Sequence, residues 1–332
     1  MRSRTVKRRV IAYTNLTECA STEIRAKGGV TVEILLGYCC VSTLYPKLKC
    51  SRSSTKTYLD SHDAKACHDY LLDKARKNLF DMAELLKHNK DNGILAYRMP
   101  EQVLPQLDLG YYKIEELQTE LRMVGKIANQ LGIQLSQHPS QYYVLNSHRQ
   151  DVVEKSIYTL DFFAETMEAM ELTKVPNMTL HIGVKNGYED STEAVKAFAK
   201  NFERLGEPAK KYLVVENDHV SFQVEDCLKV HELTGVPVVF DNKHYEWNPG
   251  DMTFEESLNA AVHTWGSRTP KLHLSSDKEG IKKHAHHEMV FLDDYKKMEQ
   301  AAEKSGIEQC YFMLECKQKD IAVLELYEKI KK

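Results

Sequence analysis

The chain has 332 residues, 42% of them hydrophobic, and a formal net charge of −3. That length carries one large domain or two ordinary ones, and the near-neutral charge excludes a polycation, so any nucleic-acid contact has to come from a local patch. No apolar run approaches the ~18 residues of a membrane-spanning helix, and the eight cysteines form neither a C-x-x-C pair nor a disulfide framework, which favours a reducing compartment.

Residues 1–30 show weak periodicity and end near Gly28-Gly29. They read as an appended extension whose basic start, Met1 to Val10, is a solvated tail, a DNA-contacting arm or an organellar address. Thr31 to Tyr38 is the first strand, Pro46 to Asp63 a polar loop, and Cys67 to Lys90 a helix with a stripe of Leu71, Ala75, Leu79, Met82 and Leu86. Ile94 to Arg98 is a strand, Ile114 to Gln130 a helix stopped by Gly132, and Ile133 to Gln137 the third strand. The alternation continues with helix Arg149 to Met170, strand Met178 to Ile182, helix Ser191 to Leu205 capped at Ser191, and strand Tyr212 to Val215. It ends with helix Val224 to Leu233, strand Val236 to Phe240, helix Phe254 to Trp265, strand Lys271 to Leu274, helix Leu292 to Lys304, strand Cys310 to Leu314 and helix Asp320 to Lys331.

Short apolar strands that do not alternate with polar residues are buried on both faces, as in parallel sheets. Eight of them alternating with amphipathic helices predict an α/β fold, a (β/α)8 TIM barrel over residues 31–332; a doubly wound open sheet is the alternative.

In a barrel of this kind active sites lie at the C-terminal strand ends. Those ends carry His138, His181, Glu216, Asp241 with His244, Lys271 with His273, and Glu315, and the loop after strand seven adds His284, His286 and His287. Each alone has a bland explanation: a satisfied structural histidine, a helix cap at Glu216-Asn217-Asp218, an Asx turn at Asp241-Asn242. Together they form one ring of imidazoles and carboxylates, a donor set suited to Mn, Zn or Fe rather than to Mg or Ca. There are too many donors for a single ion, and Glu216 and Glu315 are of the type that bridges two, as a multi-metal hydrolase requires. Gln141-Tyr142-Tyr143 adds an amide and aromatics beside this ring, suited to wedging into a base stack or to covering the barrel top. Basic residues around the same face are Lys47, Lys49, Arg52, Lys56, Arg149, Lys185, Lys243, Lys278, Lys282 and Lys283, candidates for phosphate contact or a solvated surface.

These motifs together resemble the UV damage endonuclease family, a TIM-barrel group similar to endonuclease IV and xylose isomerase. The resemblance runs in order from about residue 32 to the end. It is carried by Leu36-Gly37-Tyr38, Asn78-Leu79, Tyr97-Arg98, Leu135-Ser136-Gln137-His138-Pro139-Ser140-Gln141-Tyr142, Leu180-His181-Ile182-Gly183, Val215-Glu216-Asn217-Asp218, Phe240-Asp241 with His244, Lys271-Leu272-His273-Leu274-Ser275-Ser276, His284-Ala285, and Leu314-Glu315-Cys316-Lys317.

The resemblance implies a DNA repair endonuclease that cuts immediately 5′ to UV photoproducts, cyclobutane dimers and 6-4 photoproducts, leaving a 3′ hydroxyl and a 5′ phosphate. It implies up to three divalent ions, Mn²⁺ foremost with Mg²⁺, Co²⁺ or Zn²⁺ as alternatives, held by His138, His181, Glu216, Asp241, His244, His273, His284 and Glu315. Glu216, Glu315 and Lys271 are then the catalytic set, with Lys271 matching a lysine carboxylated in the family. Tyr38, Gln141 and Tyr142 match residues that meet DNA and its lesion. Damaged double-stranded DNA is the expected partner, with no membrane, a monomeric state, and a cytoplasmic or nucleoid location, organellar or nuclear import being the alternative. One departure stands out. The family's metal-binding histidine after strand two is missing; Met99-Pro100-Glu101-Gln102-Val103-Leu104-Pro105 occupies that segment, with Glu101 or Gln102 as candidate substitutes. Ser42 stands where the family has an asparagine. A sugar isomerase or epimerase on the same barrel, or a DNA-binding relative with a decayed site, are the competing readings.

Overall fold

A computed structural model describes residues 32–277 and 285–332. Its eight strands are β1 (Glu33–Cys39), β2 (Ala96–Met99), β3 (Gln134–Gln137), β4 (Asn177–His181), β5 (Leu213–Glu216), β6 (Val238–Val239), β7 (Lys271–Leu274) and β8 (Gln309–Leu314). All pair in parallel, in the spatial order β6-β5-β4-β3-β2-β1-β8-β7. The open seam between β6 and β7 is crossed by the parallel bridge from Asp241 to His273 and by the His273 N–H donating to Phe240 O at 3.0 Å. The sheet is therefore a nearly closed (β/α)8 barrel, and the doubly wound alternative falls.

The helices are α1 (Lys56–Ser61), α2 (Ala64–Asp91), α3 (Gln118–Leu131), α4 (Gln150–Ala169), α5 (Ser191–Phe202), α6 (Glu207–Tyr212), α7 (Val224–Thr234), α8 (Asn242–Trp247), α9 (Phe254–His263), α10 (Leu292–Lys304) and α11 (Lys319–Ile330). The main core lies between helices and sheet, where the stripe of α2 (Leu71, Ala75, Leu79, Met82, Leu86) joins Leu36, Tyr97 and Leu135 in one buried cluster. The helix starts follow capping chemistry: Asp63 accepts the Ala66 N–H, and Thr253 with Glu256 forms a capping box on α9.

Three local expectations change. The segment 46–63 is not all loop but contains α1, capped by Thr55. Asp190 rather than Ser191 caps α5, its carboxylate accepting the Glu193 N–H at 2.9 Å. Two six-residue helices, α6 and α8, appear where no periodicity could announce them, since a turn and a half is too short to show a 3.6-residue repeat. No helix among the described residues is long and apolar enough to cross a membrane. The extension 1–30, His284, Lys278, Lys282 and Lys283 lie outside the described residues.

Candidate metal centre

Side chains two apart on a strand share a face, and this rule builds the site in layers. Thr179 and His181 on β4, and Lys271 and His273 on β7, point into the barrel one layer apart. Lys271 Nζ donates to Thr179 Oγ1 across the interior. One layer higher, His273 Nδ1 lies 2.7 Å from Glu216 Oε1. Glu216, fully buried at the end of β5, is the hub. Its Oε2 is 3.1 Å from His138 Nε2 and 3.8 Å from His181 Nε2, while its Oε1 is 3.4 Å from His244 Nδ1.

Asp241, two residues past β6, caps α8, its Oδ1 accepting the N–H groups of Lys243 and His244 at 2.8 Å each. The same cap sets His244 on the first turn of α8, facing the hub. Asn217 locks this arrangement. Its side chain exchanges two hydrogen bonds with the Asp241 backbone, and its carbonyl lies 2.9 Å from His244 Nδ1. Glu315, just past β8, sits 3.3 Å from His273 Nδ1 and takes a 2.6 Å bond from the buried Arg98 guanidinium on β2.

Seven predicted ligands thus converge in three interlocking groups: His138, His181 and Glu216; Glu216, Asp241 and His244; Asp241, His273 and Glu315. Within each group the donor atoms lie within 4.8 Å of one another. Glu216 and Asp241 each belong to two groups, the position of a bridging carboxylate.

The fit to cations can be tested on unpaired atoms. Asp241 Oδ2, His273 Nε2 and His181 Nδ1 are buried without a hydrogen-bond partner in the protein. Such orphans are costly, and bound divalent ions would relieve a cluster so rich in lone pairs. The mixed N/O donor set also matches first-row transition metals. The residues fit the ions.

The electrostatics carry the same signature of crowded opposite charges. Burial alone would raise the Glu216 carboxyl, but His273 and His181 charges and the His138 and His244 hydrogen bonds hold it well below the usual carboxylate range. Burial opposes ionisation of Glu315 too, and Arg98 and then His273 more than offset it. Asp241 is pushed up, chiefly by burial. Burial pulls His181 down to about 4. His244 is also disfavoured by burial, yet Asp241, Glu216 and Glu315 together raise it to about 10. Lys271, fully enclosed and near Arg98, falls to about 7.

The remaining candidates fall in different places. Tyr38 does not face the mouth. It lies behind the sheet, fully buried, its hydroxyl donating to Asn89 of α2 at 2.9 Å. The residue of β1 that points inward is its neighbour Cys39, which contacts Arg98. Glu101 is not among the three donor groups; its carboxylate accepts the Ser140 N–H at 2.9 Å and the Tyr143 hydroxyl at 3.1 Å. Lys243 is buried among Glu246, Asp294 and Asp277 rather than open to phosphate. Arg52 is paired with Asp81 and Arg149 with Asp151. Gln141 and Tyr142 are exposed, Tyr142 at 78%. His286 stands 3.9 Å from Glu315 and close to His244 and Trp247, so the histidine-rich loop does reach the centre. Arg98 and Asn217 touch the donors rather than supply one, so no donor pattern in the sequence marks them; Asn217 is signalled only by following Glu216 directly.

A family model described as UV-endonuclease UvdE matches residues 34–332. The UV DNA damage endonuclease of Clostridium perfringens is 28% identical over 277 residues, covering 79% of this chain and 64% of that protein. The UV-damage endonuclease of Schizosaccharomyces pombe is 29% identical over 314 residues, 88% of this chain and 50% of that protein. The chain therefore spans between half and two thirds of the length of these two relatives. The crystal structure of SacUVDE superposes with a TM-score of 0.79 at 26% identity, covering 90% of this chain and 98% of that one.

Proposed function

We propose that this chain, which belongs to the UV-endonuclease UvdE family, is a divalent-metal-dependent endonuclease that hydrolyses the DNA phosphodiester immediately 5′ to UV photoproducts. The observation that carries the reading is the sharing of Glu216 and Asp241 among three donor groups at one barrel mouth. A sugar isomerase on this barrel has no use for an exposed Gln141-Tyr142 pair beside such a centre.

His138, His181, Glu216, Asp241, His244, His273 and Glu315 hold the ions, with His284 or His286 from the loop after β7 completing the set; Mn²⁺ is the ion we assign, up to three in number. Ions bound there supply Lewis acidity for in-line displacement at phosphorus. The protein's own part is orientation. Asn217 and the α8 cap fix Asp241 and His244, and Arg98 fixes Glu315. Gln141 and Tyr142 fill the gap left by the damaged nucleotides once they leave the stack. Lesions that already weaken stacking are cheaper to extrude, which gives selectivity without reading sequence. Lys271 is carboxylated: its neutral Nζ adds to the carbon of CO2, the N–C bond forms and one proton leaves to solvent. The product is an anion in place of a cation, one layer below His273.

The test is incision of a UV-irradiated, end-labelled duplex with Mn²⁺. A single cut adjoining the photoproduct, with a 3′ hydroxyl and 5′ phosphate, is expected. Failure to incise irradiated DNA, or isomerisation of a sugar instead, would overturn the reading; binding without cutting would mark a decayed site.

A further inference from the structure

The segment Ser140–Tyr143 is a closed turn. The Tyr143 N–H donates to Ser140 O at 3.0 Å, so Gln141 and Tyr142 occupy the two central positions and project from the tip. Its upstream flank is anchored to the donor cluster, because Pro139 is buried and His138 Nδ1 lies 3.0 Å from the Pro139 carbonyl while Nε2 faces Glu216. Downstream, the Tyr143 ring packs edge-on against Phe163 of α4, centroids 5.9 Å apart. The remaining tie comes from a different loop. Glu101, two residues past β2, places Oε2 2.9 Å from the Ser140 N and Oε1 3.1 Å from the Tyr143 hydroxyl. One carboxylate thus grips both corners of the turn and leaves its tip free.

We propose that Glu101 is the positioning residue of the lesion-probing turn, its carboxylate clasping Ser140 and Tyr143 so that Gln141 and Tyr142 are held in register with the metal centre before DNA arrives. This rests on the proposed function, and it assigns a role to the segment in which a metal ligand was expected. Both bonds are charge-assisted, the kind that fixes geometry best. Tyr143 remains a donor throughout the working pH range, because burial and then the Glu101 charge push its hydroxyl up. A wedge that must enter a base stack in one orientation gains from being ordered beforehand, since otherwise binding has to order it. The clasp therefore acts on capture of damaged DNA rather than on the chemical step.

The experiment compares wild type, Glu101→Ala and Glu101→Gln in the full chain, each loaded with Mn²⁺. For Glu101→Ala, kcat/KM on irradiated duplex is expected to fall roughly ten-fold, the worth of about one charge-assisted hydrogen bond. The loss should sit in KM, with kcat and the number of bound Mn²⁺ unchanged. Glu101→Gln keeps one acceptor oxygen and is expected to fall between. Adding Tyr142→Ala to Glu101→Ala should cost little more than Tyr142→Ala alone, because both disable the same wedge. Hydrogen exchange, read without DNA, should show the Ser140 amide protected in wild type and fast in Glu101→Ala. Loss of a bound Mn²⁺ or a fall in kcat would make Glu101 a metal ligand and overturn the proposal, as would additive effects with Tyr142→Ala or unchanged exchange at Ser140. If exchange changes as expected but wild type does not incise irradiated DNA, the clasp stands and the proposed function is what fails.

Discussion

His273 Nδ1 and Glu216 Oε1 meet at 2.7 Å across the barrel, joining β7 to β5 at full burial. The contact defines the floor of the donor cluster. Every other predicted ligand that the structure describes lies within 4 Å of one of these two side chains, or within 4.8 Å through the donor groups they share.

Glu216→Gln tests that hub with almost no change of volume. It removes the negative charge on which four imidazoles depend and one acceptor oxygen. Incision of irradiated duplex is expected to drop by more than the ~10–100-fold typical of disturbing an outer-shell partner, and Mn²⁺ affinity should drop with it. Circular dichroism should be unchanged. Retention of wild-type incision would show that the metals sit elsewhere.

How much of this donor cluster is legible in the sequence depends on the kind of residue. Donors that end strands are legible because a strand's C-terminal end is marked by the turn chemistry that follows it; β7 and α10 match their expected limits to the residue. Tyr38 lies on the helix side because the side-chain period of a strand is two, so a neighbouring residue faces the opposite side. Motif order does not reveal that parity, and the inward place belongs to Cys39. Helix α8 was hidden because Asp241-Asn242 reads equally as a turn and as a cap. The Glu101 clasp joins residues 39 to 42 positions apart in two loops, and no local pattern encodes such a contact.

Arg98 and Glu315 form a largely buried pair at 2.6 Å. Removing one partner of such a pair leaves an uncompensated charge and costs about 3–5 kcal/mol. Arg98→Met should therefore lose that order of stability in metal-free protein, measured by denaturant unfolding in the presence of chelator. Mn²⁺ should restore more stability to the variant than to wild type, because a cation at Glu315 replaces the missing guanidinium. Equal responses to Mn²⁺ in both proteins would separate Glu315 from the metal-binding set.

Gly125 on α3 allows a close approach to α4. A Cβ at that position would lie 1.7 Å from Met170 O, a backbone atom that cannot swing aside. Gly125→Ala should destabilise the fold by about 1–3 kcal/mol, the usual range for overpacking, and lower the melting temperature by several degrees. The site is remote from the donor cluster, so kcat of the protein that remains folded should not change. An unshifted melting curve would mean that the two helices are not in this contact.

Lys271 offers a pH test with a definite sign. Its folded pKa is lowered to about 7, by burial first and then by the Arg98 charge, whereas an unfolded lysine titrates near ~10.4. Between those values the unfolded chain carries a proton that the folded chain lacks, so stability rises with pH through that window. Below pH 7 both states are protonated and the full penalty of enclosing the ammonium remains. In metal-free, CO2-free buffer, Lys271→Met should remove this slope and be the more stable protein at pH 6. The same lowered pKa makes the neutral amine, the form that adds CO2, abundant at neutral pH. With ¹³C-labelled bicarbonate, wild type should therefore show a carbamate carbon resonance that grows as pH rises through 7 and is absent in Lys271→Met. A wild-type spectrum without that resonance would remove the carboxylated lysine from the site while leaving the stability prediction to stand on its own measurement.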